Sequence, residues 1–328
     1  MPYYISHENN VNAYPQTDSM AFFQDKFTTG IWKQASGVDS FYGFVINDKA
    51  SKCIVISQGR SESLVKYAEF IYELYQNGYS VFMFDHQGQG LSSRLLSNRH
   101  IGYVKNFNDY VEDLHALIEK VLNPLLVKHN QGDLHKVLLC HSLGGAIGTL
   151  YVQVYPNVFS KLVLSAPMLG ILSPVSESLL QFILIIVLKL RGIFGLKDNY
   201  ILGQGDYHAQ AFDKNQLTNS KVRYRIFREM MANYPQNQLG GISANWLLQS
   251  IYGMRKARAN ASSILLPTLV LQAEQEQIVD NEKMTQFAEE LPQASLVVVA
   301  NARHELLFEK DEVRASIVAK ILNFIALP

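Results

Sequence analysis

A chain of 328 residues that is 48% hydrophobic and 18% charged has ordinary globular composition, and a chain of this length buries roughly three quarters of its unfolded surface. Its 29 basic and 29 acidic residues cancel, which argues against a nucleic-acid partner, because neutralising phosphates takes a basic field. The first ten residues carry no basic stretch followed by an apolar core, so no secretory signal is read there. The two cysteines, each inside an apolar run, are expected as buried free thiols in a reducing, cytoplasmic compartment.

Residues 1–20 are polar and show no clear period, so they read as a loosely held lead-in. Short apolar runs at 41–46, 53–57, 80–84, 137–140, 162–165, 268–272 and 296–299 then read as strands. Segments 64–76, 110–128, 281–291 and 313–324 have helical spacing. Buried strands alternating with helices predict an α/β protein, with a mainly parallel sheet covered on both faces. The rhythm stops at 169–263, where helical stretches occur without a convincing strand. The chain therefore divides into a core segment at 1–168, a helical cap insertion at 169–263 and a second core segment at 264–328. Inside the insertion, the apolar run 179–188 ends at Lys189 and falls short of the roughly 20 residues that span a bilayer. It is apolar all round, so it reads either as a helix buried between two layers or as a lipid-facing helix beside an acyl-chain groove.

The most informative stretch is Val137-Leu138-Leu139-Cys140-His141-Ser142-Leu143-Gly144-Gly145-Ala146, followed by Gly148. A buried strand ends at a serine, and small residues follow, as in a nucleophile elbow that exposes a hydroxyl on a sharp strand-to-helix turn. Gly144 and Gly145 lack side chains that would clash in such a turn, and Gly148 lets the helix approach the sheet. Cys140 stands where the strict motif has its first glycine; it is small enough for the turn.

A serine hydroxyl needs a base, and the base needs a group that orients it. After Ser142 the chain supplies carboxylates beyond the strand 268–272, at Glu274, Glu276 and Asp280, and a histidine, His304, beyond the strand 296–299. The order serine, acid, histidine is that of an α/β-hydrolase, and strand ends are where an open α/β sheet places its site. Glu276 is the preferred acid because it sits where the loop should turn toward the histidine; Glu274 and Asp280 remain alternatives. His141 adjoins Ser142, but neighbouring strand side chains point to opposite faces. An oxyanion needs two donors: the Leu143 amide, directly after the nucleophile, and the Arg60 amide in the loop after strand 53–57. The Arg60 side chain reads either as a surface charge or as a contact for an anionic substrate. Asp85-His86-Gln87-Gly88-Gln89-Gly90 lacks the third glycine and following helix of a dinucleotide site. No metal-ligand spacing and no phosphate loop appears.

The runs Gly59-Arg60-Ser61-Glu62-Ser63-Leu64-Val65-Lys66-Tyr67-Ala68-Glu69, Asp85 to Ser92, His100-Ile101-Gly102, Phe107 to Val111, His141 to Ile147, Ala166-Pro167-Met168, Leu239-Gly240-Gly241 and Leu271 to Glu274 with Val279-Asp280-Asn281 together resemble bacterial lysophospholipases of the inner-membrane-associated type. The hydrolase elements are shared with monoacylglycerol lipases and serine aminopeptidases. The resemblance, from about residue 20 to the C-terminus, implies an eight-stranded α/β-hydrolase with a helical cap. It also implies a carboxylester hydrolase using Ser142, Glu276 and His304, without metal or organic cofactor. The expected substrate is a lysophospholipid or monoacylglycerol, with Arg60 or Arg223 as candidate phosphate contacts and a peripheral membrane contact through the cap. The bland reading of the basic cluster 221–228 is a solvated helix face. An aminopeptidase and a catalytically silent hydrolase fold are the alternatives in activity.

Overall fold

The computed structural model describes residues 3–34, 37–196 and 198–327. Eight strands, β1 (Thr28–Trp32), β2 (Ser40–Val45), β3 (Cys53–Ser57), β4 (Ser80–Phe84), β5 (Lys136–His141), β6 (Lys161–Ser165), β7 (Thr268–Ala273) and β8 (Ala294–Val299), form one sheet in the order β1-β2-β4-β3-β5-β6-β7-β8. Only the β1–β2 and β2–β4 pairs are antiparallel; from β4 onward every pair is parallel. The helices are α1 (Glu8–Val11), α2 (Asp18–Asp25), α3 (Ala68–Gln76), α4 (Asn108–Leu117), α5 (Asn123–Lys128), α6 (Leu143–Val154), α7 (Glu177–Ile193), α8 (Lys221–Asn233), α9 (Ala244–Ala259), α10 (Asn281–Glu290) and α11 (Asp311–Ala326).

The central strands lack polar alternation because both faces are covered. Ile54, Ile56, Val81, Met83 and Leu139 point to one side, against Phe70 and Leu74 of α3 and Ile317 and Ile321 of α11. Val55, Phe82, Leu138, Leu164 and Val270 point to the other, against Leu114 of α4, Ile147 of α6 and Phe287 of α10. Truncating one of these side chains to alanine costs about 2–5 kcal/mol through lost burial and the cavity left behind. Such a sheet holds the loops at its carboxyl edge rigidly, and those loops carry the site.

Two features depart from the sequence reading, and a third decides between alternatives that reading left open. Strand β1 is an edge strand with mostly exposed residues, so it lacks the apolar run that marks the others. The N-terminal segment is docked, not loose. The Ser6 amide donates to Glu73 (2.6 Å) and the Glu8 amide to Asp311 (2.9 Å), while Val11, Tyr14 and Met20 pack with Ile226 and Met230 of α8. Its partners lie far off in the chain, where no local pattern reveals them. Helix α7 is not sandwiched between layers. Leu184 is its one buried residue, and Leu179, Phe182, Ile183, Ile186, Leu190 and Ile193 are exposed. It rests on α9, where Arg255 donates to Gln181 (2.5 Å) and Ser178 (2.7 Å). Among the described residues no helix is long and apolar enough to cross a membrane.

Candidate active site

Strand β5 turns into α6 at Ser142, whose φ of 51° and ψ of −115° lie in a region that costs a non-glycine residue about 1–3 kcal/mol. The neighbours enforce the strain. A Cβ at position 144 would collide with the Ser57 carbonyl oxygen, and one at 148 with the Cys140 sulfur, so only glycine lets α6 sit this close to β3 and β5. Cys140 replaces the motif's first glycine without penalty because Gly148 leaves room for its thiol. Burial pushes that thiol well above its usual range, and the Cys53 thiol up to about 12; both stay protonated and inert.

The Ser142 hydroxyl lies 2.9 Å from Nε2 of His304, and Nδ1 of that ring lies 2.8 Å from Oε2 of Glu276. The carboxylate fixes the proton on Nδ1 and leaves Nε2 to accept from Ser142. The other carboxylate oxygen, Oε1, takes the amides of Gln277 (3.0 Å), Ile278 (2.8 Å) and Val279 (3.3 Å). Burial pushes Glu276 up, but the His304 hydrogen bond and charge and these amides outweigh it and hold the carboxyl below its usual range. The two other carboxylates have different partners. Glu274 accepts from the Asn301 amide (2.8 Å), and Asp280 caps α10 through the Glu282 and Lys283 amides. The site is nearly closed, with Ser142 7% and His304 4% exposed. His141 has its own partner: its Nδ1 lies 3.1 Å from the Ser165 carbonyl oxygen while its ring centre lies 5.0 Å from that of His304, and burial pulls it down to about 4, so it is neutral.

The Leu143 amide opens α6, and the Arg60 amide lies in the loop after β3; among the described residues neither has a protein acceptor. Position 59, just before Arg60, lies against Ser142: a Cβ there would stand 3.2 Å from the serine Cβ. The loop that presents Arg60 is held by groups with no local motif to mark their role. Glu62 accepts from the Gly59 amide (2.7 Å), the Tyr67 hydroxyl (2.7 Å) and Lys66 (2.6 Å). Lys66 also bonds Glu305 (2.5 Å), the residue after His304, so one buried ammonium ties the oxyanion loop to the histidine loop. The turn set aside as a dinucleotide site braces the same loop. Gln89 donates to the Gly59 carbonyl (2.8 Å), and Asp85 accepts from Gln58 (2.8 Å) and the Leu64 and Leu91 amides. Burial pushes Asp85 up to about 6, against those three donors. The signal in the sequence that includes Glu62 is the run Gly59 to Glu69 quoted for the resemblance.

Arg223 is corrected as a phosphate contact, and the solvated-face reading fails at this position too. It is buried and committed to carboxylates, bonding Glu69 at 3.0 and 2.8 Å and pairing with Asp311 at 3.0 Å. No donor is left for a ligand, and the pairs explain why it is inside. Nor is the Arg60 side chain a solvated surface charge: its Nη2 donates to the Gly240 carbonyl, and its guanidinium lies 5.4 Å from the Trp246 ring centre. Among the described residues no group of three His, Cys, Asp or Glu side chains could hold a metal ion.

A mainly parallel eight-stranded sheet with a strained serine elbow at its carboxyl edge defines an α/β-hydrolase, and the enzyme is an ester hydrolase of that superfamily. A family model described as serine aminopeptidase, S33, matches residues 48–311; the chain belongs to this family. It is 36% identical to Lysophospholipase L2 of Escherichia coli (strain K12) over 312 residues, covering 90% of this chain and 89% of that protein. It is 32% identical to a probable lysophospholipase L2 of Haemophilus influenzae, covering 92% and 93%. In fold it is similar to a soluble variant of monoglyceride lipase from Saccharomyces cerevisiae (TM-score 0.70, 19% identity, covering 90% and 94%). It is also similar to a carboxyl esterase from Bacillus coagulans (TM-score 0.72, 18% identity, covering 92% and 98%).

Proposed function

We propose that the protein is a lysophospholipase, releasing a fatty acid from a monoacyl glycerophospholipid through an acyl-enzyme. The observation that carries the mechanism is the continuous relay from Ser142 through His304 to Glu276; the lysophospholipid substrate rests on likeness to the lysophospholipases above. Ser142 Oγ attacks the acyl carbonyl carbon while His304 Nε2 takes its proton. The carbonyl oxygen becomes an oxyanion between the Leu143 and Arg60 amides, each contributing about 3 kcal/mol to the transition state. As the tetrahedral intermediate collapses, His304 returns the proton to the leaving glycerol oxygen. Water then attacks the acyl-Ser142 ester with His304 again as base, and the fatty acid departs. Glu276 stabilises the imidazolium formed in each half.

Residues 169–263 act as the cap in this reading. The exposed apolar face of α7 (Leu179, Phe182, Ile183, Ile186, Leu190), with Lys189 beside it, supports a peripheral contact with the cytoplasmic face of a membrane, where the substrate resides. The test is Ser142→Ala. Fatty-acid release from 1-acyl lysophosphatidylethanolamine and labelling by a fluorophosphonate should both vanish, with the urea unfolding midpoint retained. Undiminished release by that variant refutes the mechanism. A wild-type enzyme that cleaves aminoacyl amides and leaves lysophospholipid intact refutes the substrate.

A further inference from the structure

Beside the Gly59–Arg60 loop lies a set of arginines with no carboxylate in ion-pair contact among the described residues. Arg60 donates through Nη2 to the Gly240 carbonyl, and its guanidinium packs on Gly102 so closely that a Cβ there would sit 2.9 Å from Nη2. Nε of Arg60 is buried without any hydrogen-bond partner. Arg94 reaches the same cap segment, donating to the carbonyls of Gln236 (3.1 Å) and Gln238 (3.5 Å), and Arg99 also donates to Gln236. His100, whose carbonyl accepts from the Gly240 amide, has a buried Nδ1 with no partner. Among the described residues none of these three arginines lies in an ion pair with a carboxylate. The two nearby acids are engaged elsewhere: Asp85 by the Leu64 and Leu91 amides and Gln58, Asp206 by Asn98 and Tyr200.

A cation taken out of water without a counter-ion costs several kcal/mol. Burial pulls Arg60 down to about 10, and Arg94 nearby adds to the fall while Tyr110 opposes it. It is nevertheless charged at neutral pH. The two fully buried arginines are matched, Arg314 with Glu73 at 2.6 Å and Arg223 with Glu69 at 2.8 Å; the half-buried Arg60, Arg94, Arg228 and Arg303 each keep an unpartnered Nε, and Arg60 follows Gly59, where a Cβ would stand 3.2 Å from that of Ser142. An unmatched guanidinium in that loop, with Arg94 and Arg99 on the same 236–240 segment, suits an anion that arrives with the ligand.

Resting on the lysophospholipase reading, we propose that the Arg60 guanidinium, in the field of Arg94 and Arg99, binds the phosphate of the substrate's headgroup and so selects phospholipid over neutral monoacylglycerol. The geometry of the substrate fits. With the Arg60 amide serving the oxyanion, its guanidinium lies within one arginine side chain's reach of the acyl carbonyl. In a lysophospholipid the phosphate stands one glycerol unit from that carbonyl, a chain of comparable length. Phosphate is a guanidinium's natural partner because its oxygens match the planar fork of donors. The same cations disfavour a free-amine substrate, which needs acids at this place.

The experiment compares kcat/KM on 1-acyl lysophosphatidylglycerol and on the 1-monoacylglycerol of the same chain length, in wild type, Arg60→Gln and Arg99→Gln. Arg60→Gln keeps the backbone amide, so the readout is the ratio of the two activities. That ratio should fall by about 30–100-fold in Arg60→Gln, as for loss of a charged hydrogen-bond partner. It should fall by about 2–5-fold in Arg99→Gln, whose exposed charge is screened. Equal losses on both substrates, in a variant that retains its unfolding midpoint, overturn the proposal. If Arg60→Gln fails to fold, an unchanged ratio in Arg99→Gln at low salt overturns it instead. A second arm is independent of turnover: titration calorimetry of Ser142→Ala and Ser142→Ala/Arg60→Gln with lysophosphatidylglycerol, glycerol 3-phosphate and inorganic phosphate. Lipid and glycerol phosphate should bind about tenfold more weakly to the double variant. Inorganic phosphate binding as tightly as the lipid would assign the site to a free anion and overturn the headgroup role. Loss of hydrolysis on both substrates in wild type, with Arg60-dependent lipid binding retained, would sink the lysophospholipase reading and leave the phosphate site standing.

Discussion

Replacing Glu62 by glutamine tests whether the oxyanion donor depends on a buried charge that never touches substrate. Glu62 is ionised: burial pushes its carboxyl up, but Lys66 and the hydrogen bonds from Lys66 and Tyr67 outweigh that and hold it far below the usual range. The carboxylate accepts the Gly59 amide at 2.7 Å, one residue before the Arg60 amide. Glu62→Gln keeps the shape and removes the charge. Each charge-assisted bond that becomes neutral loses about 1 kcal/mol, and three are affected, those from Gly59, Tyr67 and Lys66. Deleting an oxyanion donor outright costs about 2.7–4 kcal/mol. A loosened donor therefore costs less, about 1.4–2.7 kcal/mol, and kcat should fall about 10–100-fold. KM should stay within about twofold, because the amide acts on the transition state and not on the bound ester. Steady-state hydrolysis of a short-chain p-nitrophenyl ester, with urea unfolding in parallel, makes the measurement. A folded variant with kcat within twofold of wild type, or one in which KM absorbs the whole loss, refutes the reasoning.

Glu276→Gln should lower kcat by about 10²–10⁴-fold, since the base then loses the charge that stabilises its protonated form. Asp280→Asn should leave kcat within a fewfold and stability within about 0.5 kcal/mol, because asparagine caps α10 about as well as aspartate; the reverse pattern in turnover would transfer the role to Asp280. The acid limb of stability has a specific source in His86. Burial pulls it from the ordinary histidine value to about 4, so between about pH 6.5 and 4 the unfolded chain binds a proton that the folded one does not, and stability falls as the pH falls. His86→Asn should therefore remove up to about 3 kcal/mol of that fall, read as the difference in urea midpoints at pH 7 and 4.5. An identical acid slope in the variant would show that His86 is not the source.

The sequence by itself determined the strand–helix rhythm of the core and the positions around the elbow, because each rests on local rules. Buried parallel strands need unbroken apolar runs, and the turn at Ser142 needs glycine at 144 and 148 where the backbone of β3 and the sulfur of Cys140 come close. The positions of Ser142, Glu276 and His304 were legible because each lies just past an apolar strand. Only tertiary structure decided which carboxylate meets the histidine, since Glu274, Glu276 and Asp280 share one loop and differ solely in where the loop aims them. It alone decided that Arg223 is spent on Glu69 and Asp311, that Lys66 joins Glu62 to Glu305, and that Arg60 is half-buried without an acid in ion-pair contact among the described residues. It alone turned the apolar run of α7 outward, and docked the polar N-terminus through Glu73 and Asp311. A charge is priced by its surroundings, and those surroundings are assembled from segments hundreds of residues apart, so no window of sequence contains them.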